Sequence, residues 1–170
     1  MSKWFYKNKK IDRELSNKLG IHPAIIKILA DRGVETEEDI REFLAADLSK
    51  VSDGSELTDM EKGVSIIQDA IAAGKHIRII GDYDVDGVTS TYILYKGLIG
   101  LHAKCDKFIP HRIKDGYGLH ENAIRRARED GVEVILTCDN GIAATDAVSL
   151  AKEFGMIVVV TDHHEVPFVQ

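Results

Sequence analysis

Apolar and polar residues follow two different patterns along this chain. Between residues 11 and 45 the apolar positions recur at helical spacing, which predicts short helices with one buried face. "PAIIKILADRG" has Pro23 suited to a first turn and Gly33 as a stop, and "TEEDIREFLAA" has Thr36 as N-cap before a run of acids. Residues 46–57 look like a connector, so residues 1–57 are predicted to form a helical segment with its connector.

The pattern changes from residue 58 onward. "TDMEKGVSIIQDAIAAG" predicts a helix that opens with a capping box of Thr58 and Glu61 and closes at Gly74. Short apolar runs then alternate with helical spacing, which is typical of βαβ units in a parallel sheet with helices on both faces. The sequence therefore predicts a Rossmann-like α/β domain over residues 58–170. Its strands are expected at 75–80, 104–110, 132–137 and 156–161, and its helices at 88–100, 120–130 and 143–155.

Composition adds little to this picture. Apolar residues make up 44% of the 170 positions and charged residues 29%, as in ordinary globular domains. No apolar run approaches the roughly 20 residues of a membrane span, and "MSKWFYKNKK" lacks the apolar core of a signal peptide. The two cysteines, Cys105 and Cys138, have no CxxC spacing. We therefore expect reduced thiols, a cytoplasmic location and no membrane partner.

The formal net charge of −6 is unevenly distributed. Residues 31–61 contain eleven acids and three bases, a net of −8, whereas residues 102–128 contain seven bases and three acids, a net of +4. An acidic protein with such a basic stretch can still bind a polyanion, but only on part of its surface.

Carboxylates cluster where the predicted strands end. "IIGDYDVDGVTS" carries three aspartates at alternate positions after an apolar run, and aspartates also follow "VILTC" and "VVVT". Because the carboxyl ends of parallel strands share one edge of a sheet, these side chains should gather there. The residues expected to gather are Asp82, Asp84, Asp86, Asp139, Asp162, His163 and His164.

Crowded carboxylates repel one another unless a cation lies among them. Ligation dominated by oxygen suits Mg²⁺ or Mn²⁺ better than structural zinc. More than four acidic ligands suggest two metal ions bridged by a shared carboxylate, an arrangement used for phosphoester hydrolysis.

Other nucleotide and metal motifs do not fit. "DYDVDG" matches half of an EF-hand loop, but Ile93 stands where the bidentate Glu belongs and a strand precedes the loop. "GYGLHE" has Glu121 in place of the third glycine of a dinucleotide-binding motif. The sequence contains neither a P-loop nor a serine nucleophile elbow.

The same motifs resemble the DHH phosphoesterase superfamily, named for Asp-His-His, here Asp162, His163 and His164. Within it, the chain is similar to the amino-terminal catalytic domain of the bacterial RecJ family of single-strand-specific exonucleases. "LSNKLGIHPAIIKILADRGVETEEDIREFL" resembles that family's helical preface. "GDYDVDGVTST", "IPHRIKDGYGL", "TCDNGI" and "VTDHHEVP" resemble four of its motifs, in the family's order.

The resemblance implies an activity and a role for each site residue. The activity is in-line hydrolysis of single-stranded DNA from its 5′ end, with two Mn²⁺ or Mg²⁺ ions, releasing 5′-mononucleotides in DNA repair and recombination. The implied metal ligands are Asp82, Asp84, Asp139 and His163, with Asp84 and His164 catalytic, the latter as a phosphate contact or proton donor. Asp86 and Asp162 would orient ligands, and Arg112, Gly116, Tyr117 and Gly118 would face the substrate.

Several points stay open. Arg112 is alternatively a solvated surface residue, and Tyr117 a packing residue. The arginines of helix 120–130 could bind a nucleic-acid backbone or form an exposed helix face. Relatives continue with a further metal-binding Asp and a second domain, whereas this sequence stops six residues after His164. We therefore expect a catalytic domain incomplete at its carboxyl end, weak or inactive alone.

Two alternative functions are a related phosphodiesterase of another substrate class and a non-catalytic scaffold. Relatives that hydrolyse oligonucleotides, cyclic dinucleotides or pyrophosphate carry a His four positions before the first motif's Asp, where this chain has Arg78. A non-catalytic scaffold should have lost ligands that are all present here. Milder departures from the family pattern are His111, Asp115 and His120 in the basic-glycine motif and Asn140 after the second-motif Asp.

Overall fold

The computed structural model describes residues 12–116 and 118–166. The chain divides into two compact units, Met1–Glu56 and Leu57–Gln170. None of the helices in these described ranges has the length and apolar character needed to cross a bilayer. Cys105 is partly buried and Cys138 fully buried, and both are free thiols.

The first unit consists of three short helices packed on one another, as the spacing predicts. Ile26, Leu29 and Ile40 form its buried centre. The Thr36 hydroxyl accepts a hydrogen bond of 3.1 Å from the Asp39 amide, which confirms the predicted N-cap. The helices are α1 (Arg13–Leu19), α2 (Pro23–Asp31) and α3 (Glu37–Ala45), followed by two 3₁₀ turns at Leu48–Lys50 and Gly54–Glu56.

The second unit is an α/β layer structure, which confirms the predicted fold class. All strand pairs are parallel, and the strand order is β2-β1-β3-β4. Its elements are α4 (Met60–Ala72), β1 (Ile77–Ile80), α5 (Val85–Gly100), β2 (Cys105–Phe108), α6 (Glu121–Glu129), β3 (Val134–Thr137), α7 (Thr145–Glu153) and β4 (Ile157–Val159).

Helices cover both faces of the sheet, as predicted. Successive strand residues point to opposite faces, so each strand contributes to two cores. Ile77 and Ile79 of β1 pack with residues of α4 and α5, such as Leu98. Ile80 packs on the other face with residues of α6 and α7, such as Ile124. The central strands are therefore clamped from both sides and rigidly placed.

The chain leaves the two central strands in opposite directions. After β1 it runs through α5 to β2, and after β3 it runs through α7 to β4. Such a reversal opens a crevice at the carboxyl ends of the two strands, where ligands of doubly wound sheets bind. Asp82 follows β1 and Asp139 follows β3, so the topology places these two side chains beside the crevice.

Three local expectations are wrong. Helix α4 begins at Met60, with Asp59 as N-cap in a left-handed conformation (φ 58°) and no side-chain cap bond. Glu61 is then the second helical residue, too early for a capping box with Thr58. Helix α5 begins at Val85 instead of residue 88, and β4 ends at Val159 instead of residue 161.

Two glycines let helix α5 approach the end of β1. A Cβ atom on Gly87 would lie 2.5 Å from the Asp82 amide nitrogen, and one on Gly81 would overlap the Thr91 hydroxyl. Real Cβ atoms do not approach backbone so closely. The backbone of Asp82 is thus held directly against the first turn of α5, and only glycine fits at position 87.

We expect Gly87→Ala to lower the free energy of unfolding by about 1–3 kcal/mol, because the added methyl group must displace backbone. Gly97→Ala on the same helix is the matched control, since its Cβ would meet nothing within 4 Å. This control should raise the free energy of unfolding by up to about 1 kcal/mol through helix propensity. Urea unfolding followed by circular dichroism measures both, and equal shifts would contradict the close approach.

Candidate metal centre

The loop after β1 supplies two carboxylates with different surroundings. Asp82 is 1% exposed, and its Oδ1 has no hydrogen-bond partner within residues 12–116 and 118–166. Asp84 is exposed and serves as N-cap of α5, its Oδ1 accepting a 3.0 Å hydrogen bond from the Gly87 amide. That cap explains the early start of α5 and fixes the direction of the Asp84 side chain.

Asp139 supplies a third carboxylate from the end of β3. Its backbone is left-handed (φ 61°), an uncommon conformation for a residue with a side chain, and it is 8% exposed. Carboxylate oxygens of Asp82, Asp84 and Asp139 lie within 4.8 Å of one another. The switch point of the sheet therefore holds three convergent acids, as the strand ends predict.

A second donor group lies at the end of β4 and shares Asp139 with the first. Ligand atoms of Asp139, His163 and His164 also lie within 4.8 Å of one another. His163 Nε2 is 2.8 Å from Asp139 Oδ1, and the two imidazole rings lie 4.6 Å apart between centroids. Two overlapping groups joined by one carboxylate are suited to a pair of cations.

Asp162 lies within hydrogen-bond distance of the second histidine. Its side chain is 2% exposed. Its Oδ2 accepts a hydrogen bond of 2.9 Å from the Ile142 amide, and its Oδ1 lies 2.7 Å from His164 Nδ1. This geometry agrees with the orienting role that the resemblance implies, and that role stays a prediction.

The buried acid at the centre of the cluster holds its proton more tightly than usual. Burial raises the pKa of the Asp139 carboxyl, and the charges of Asp84 and Asp86 act in the same direction. The hydrogen bond with His163 opposes this shift without cancelling it. A cation beside Asp139 would therefore lower this pKa.

Asp162, at the edge of the cluster, has a lowered pKa, whereas the pKa of Asp139 is raised. Burial acts to raise the pKa of Asp162, but the hydrogen bonds from Ile142 and His164 outweigh it and lower that pKa. The hydrogen bond with Asp162 raises the pKa of His164 above its ordinary value, against a smaller effect of burial. His164 is thus held as a cation more readily than a free histidine.

The other predicted site residues are placed less directly. Asp86 is exposed and belongs to neither donor group. Arg112 is exposed, and its guanidinium carbon lies 5.5 Å from the centre of the Tyr83 ring. Tyr83 stands between Asp82 and Asp84 in the loop after β1. The structure thus brings Arg112 to this loop without a contact to the acids among the described residues, and its substrate role stays a prediction.

The glycine segment is split by the structure. Gly116 is exposed with φ 87°, whereas Gly118 is buried, and a Cβ there would lie 2.9 Å from Asn140 Cβ. Packing against Asn140 therefore accounts for Gly118 independently of any substrate contact. Tyr117 lies outside the described residues.

The arginines of α6 are occupied by neighbouring side chains. Arg125 pairs with Glu121 at 3.1 Å, Arg126 with Asp115 at 3.4 Å, and Arg128 stacks on Phe154 at 4.1 Å. These contacts favour the exposed-helix interpretation of the basic stretch over a free cationic surface.

Asn140 makes contacts beside the candidate site that its position in the sequence does not reveal. It is 1% exposed, and its amide nitrogen donates to the Ile80 and Cys138 carbonyls at 2.9 Å each. The only sequence signal for Asn140 is its position directly after Asp139. Its hydrogen-bond partners Ile80 and Cys138 are 60 and two residues away in the sequence. Sequence spacing alone does not predict the hydrogen bond to Ile80.

Comparison with known proteins shows which family the chain belongs to. The model of the DHH family, N-terminal domain, matches residues 76–170. The chain belongs to the DHH family. It is 41% identical over 153 residues to the single-stranded-DNA-specific exonuclease RecJ of Bacillus subtilis, covering 90% of this chain and 20% of that protein. The chain thus spans about a fifth of the length of this relative.

Two solved structures of family members are similar as well. Exonuclease RecJ bound to manganese matches with a TM-score of 0.62 and 36% identity, over 66% of this chain and 29% of that one. RecJ from Thermus thermophilus in complex with Mn²⁺ matches with a TM-score of 0.58 and 30% identity, over 92% of this chain and 21% of that one.

We expect the pKa of His164, measured by NMR of the ring nitrogens in EDTA, to lie above that of an ordinary histidine. Asp162 stabilises the protonated ring. The interaction between Asp162 and His164 should therefore stabilise the fold fully below the ordinary histidine pKa. This stabilisation should be lost as the pH rises through the raised pKa of His164.

Asp162→Asn should lower the His164 pKa towards its ordinary value. The control Asp69→Asn, at an exposed position of α4, should leave the His164 pKa unchanged. A wild-type His164 pKa at or below the ordinary histidine value would contradict the interaction.

Proposed function

We propose that this chain is the amino-terminal part of a metal-dependent phosphodiesterase, a 5′→3′ exonuclease that releases 5′-mononucleotides from single-stranded DNA in repair and recombination. The observation that carries the proposal is the pair of donor groups that share Asp139 at the switch point of the sheet. Similarity to proteins named as single-stranded-DNA-specific exonucleases supports the choice of substrate. We assign residues 58–170 to the catalytic domain and residues 1–57 to its helical preface and connector.

The residues present fit divalent cations. Asp82 Oδ1 is a buried carboxylate oxygen with no hydrogen-bond partner in the described ranges, and an uncompensated buried charge is costly. Burial and the neighbouring acids raise the pKa of Asp139, and a bound cation would lower it. Oxygen donors with one or two imidazoles suit Mn²⁺ or Mg²⁺, and two solved relatives contain manganese.

Each site residue receives a role in this proposal. Asp82, Asp84, Asp139 and His163 hold the cations, with Asp139 common to both groups. When bound, the cations stabilise the negative charge that develops on the phosphoryl oxygens during in-line hydrolysis. Asp84 is placed for this by its cap on α5, so the first turn of that helix is part of the centre.

His164, the third member of the second donor group, acts on the phosphate instead of holding a cation in this proposal. Its Nδ1–H donates to the Asp162 carboxylate, which keeps the ring protonated and leaves Nε2–H as the second donor. Nε2–H then binds a phosphate oxygen or gives its proton to the leaving oxygen. Asp162 keeps the ring oriented through its own bond to Ile142.

Titration calorimetry with Mn²⁺ tests whether the cluster binds metal. We expect the wild-type chain to bind Mn²⁺, and Asp82→Ala or Asp139→Ala to weaken binding at least about tenfold, because each removes a converging carboxylate. Asp69→Ala, an exposed acid on α4, is the matched control and should bind as the wild type does. Absence of binding to the wild-type chain would favour a non-catalytic scaffold.

A nuclease assay tests the reaction itself. Mn²⁺ should support slow release of 5′-mononucleotides from 5′-labelled single-stranded DNA, and faster release than from a duplex of the same sequence. We expect a slow rate because the centre is open: the His163 and His164 side chains are 69% and 47% exposed, and water is not excluded.

In the same assay His164→Ala should reduce the rate at least about tenfold while Mn²⁺ affinity changes little, since this residue acts on the phosphate. Release of internal oligonucleotides in place of mononucleotides would contradict the exonuclease assignment.

A further inference from the structure

We infer that Asn140 is a positioning residue whose side-chain amide ties the end of β1 to the end of β3 and thereby sets the separation of Asp82 and Asp139. This inference rests on the proposed function only in so far as these two acids hold a cation. The tie itself is a property of the backbone and can be measured without metal.

The two acceptors of this amide lie just before the two acids. Ile80 is the last residue of β1, two positions before Asp82, and Cys138 directly precedes Asp139. Asn140 Nδ2 donates one hydrogen to each carbonyl, both at 2.9 Å. A single planar group therefore spans the switch point of the sheet.

Regular strand pairing reaches this point but does not go beyond it. The β1–β3 register ends at Ile80 with Thr137, and the Cys138 amide adds one more bond of 3.1 Å to the Ile80 carbonyl. Asn140 supplies the next cross-link from its side chain. Without it, nothing in the backbone ladder would hold the segments that carry the acids at a set distance.

The site requires asparagine by its chemistry. Both hydrogens of Nδ2 are used on carbonyl oxygens, so an oxygen in the same place would face two acceptors and be repelled. Aspartate has the same shape as asparagine but lacks these donors. Gly118 also packs closely against the Asn140 side chain, where an added Cβ atom would lie 2.9 Å from Asn140 Cβ.

The tie acts on a strained residue. Asp139, between Cys138 and Asn140, has a left-handed backbone (φ 61°), which costs free energy for a residue with a side chain. Hydrogen bonds of its two neighbours to the end of β1 hold that conformation in place. The Asp139 carboxylate is consequently directed towards Asp82 and Asp84.

The test compares Mn²⁺ affinity and stability in three variants. Asn140→Asp and Asn140→Ala should each weaken Mn²⁺ binding about 10- to 100-fold, as loss of ligand-orienting groups typically does. Asn122→Asp, the same change on the exposed face of α6, should leave affinity unchanged.

Val132→Ala is the stability control, because Val132 is a core residue on the amino-terminal side of β3, away from the carboxyl ends of the strands. It should lower stability without altering Mn²⁺ affinity. Wild-type affinity in both Asn140 variants would overturn the inference, and so would an equal loss of affinity in Val132→Ala, since the effect would then be general destabilisation.

A measurement on the wild-type chain decides the matter if the Asn140 variants do not fold. NMR couplings across hydrogen bonds should connect Asn140 Nδ2 to the carbonyl carbons of Ile80 and Cys138, and the amide hydrogens should exchange slowly with solvent. Absence of these couplings overturns the tie. Failure of the wild-type chain to bind Mn²⁺ with the couplings present instead overturns the proposed function and leaves the tie established.

Discussion

The parallel pairing of β1 with β3 is the constraint on which the rest of the structure depends. Their residues are buried on both faces, by α4 and α5 on one side and by α6 and α7 on the other. The chain leaves the two strands in opposite directions, which opens the crevice between their carboxyl ends. Every acid of the candidate centre is placed relative to this pair, either directly after one strand or through β4.

Rigid placement is what allows like charges to be brought together. Three carboxylates within 4.8 Å repel one another, and a flexible loop would separate them. Here the Gly87 backbone contacts that of Asp82, the first turn of α5 binds Asp84, and Asn140 bridges the strand ends. Packing of the core therefore holds the three carboxylates together against their mutual repulsion. A divalent cation among them would reduce that repulsion.

Sequence reasoning succeeded where the signal was periodic and failed where it was local. Alternation of apolar residues predicted the parallel sheet and its two covered faces, because burial on both sides leaves a plain pattern. It misplaced the starts of α4 and α5, because Asp59 is the N-cap of α4 in place of Thr58 and because Asp84 caps α5. It also assigned no role to Asn140, whose partner Ile80 is 60 residues away.

The amino-acid sequence by itself determined the fold class, the motifs and, apart from Asp86, which acids would meet at the sheet edge. Strand periodicity and parallel order are enough for this, since all carboxyl ends then share one side. Only the tertiary structure decided that Asp139 joins the two donor groups, that Asp162 lies within hydrogen-bond distance of His164, and that Gly118 packs on Asn140. Those facts depend on distances between segments far apart in the chain, which are set by packing of the whole core.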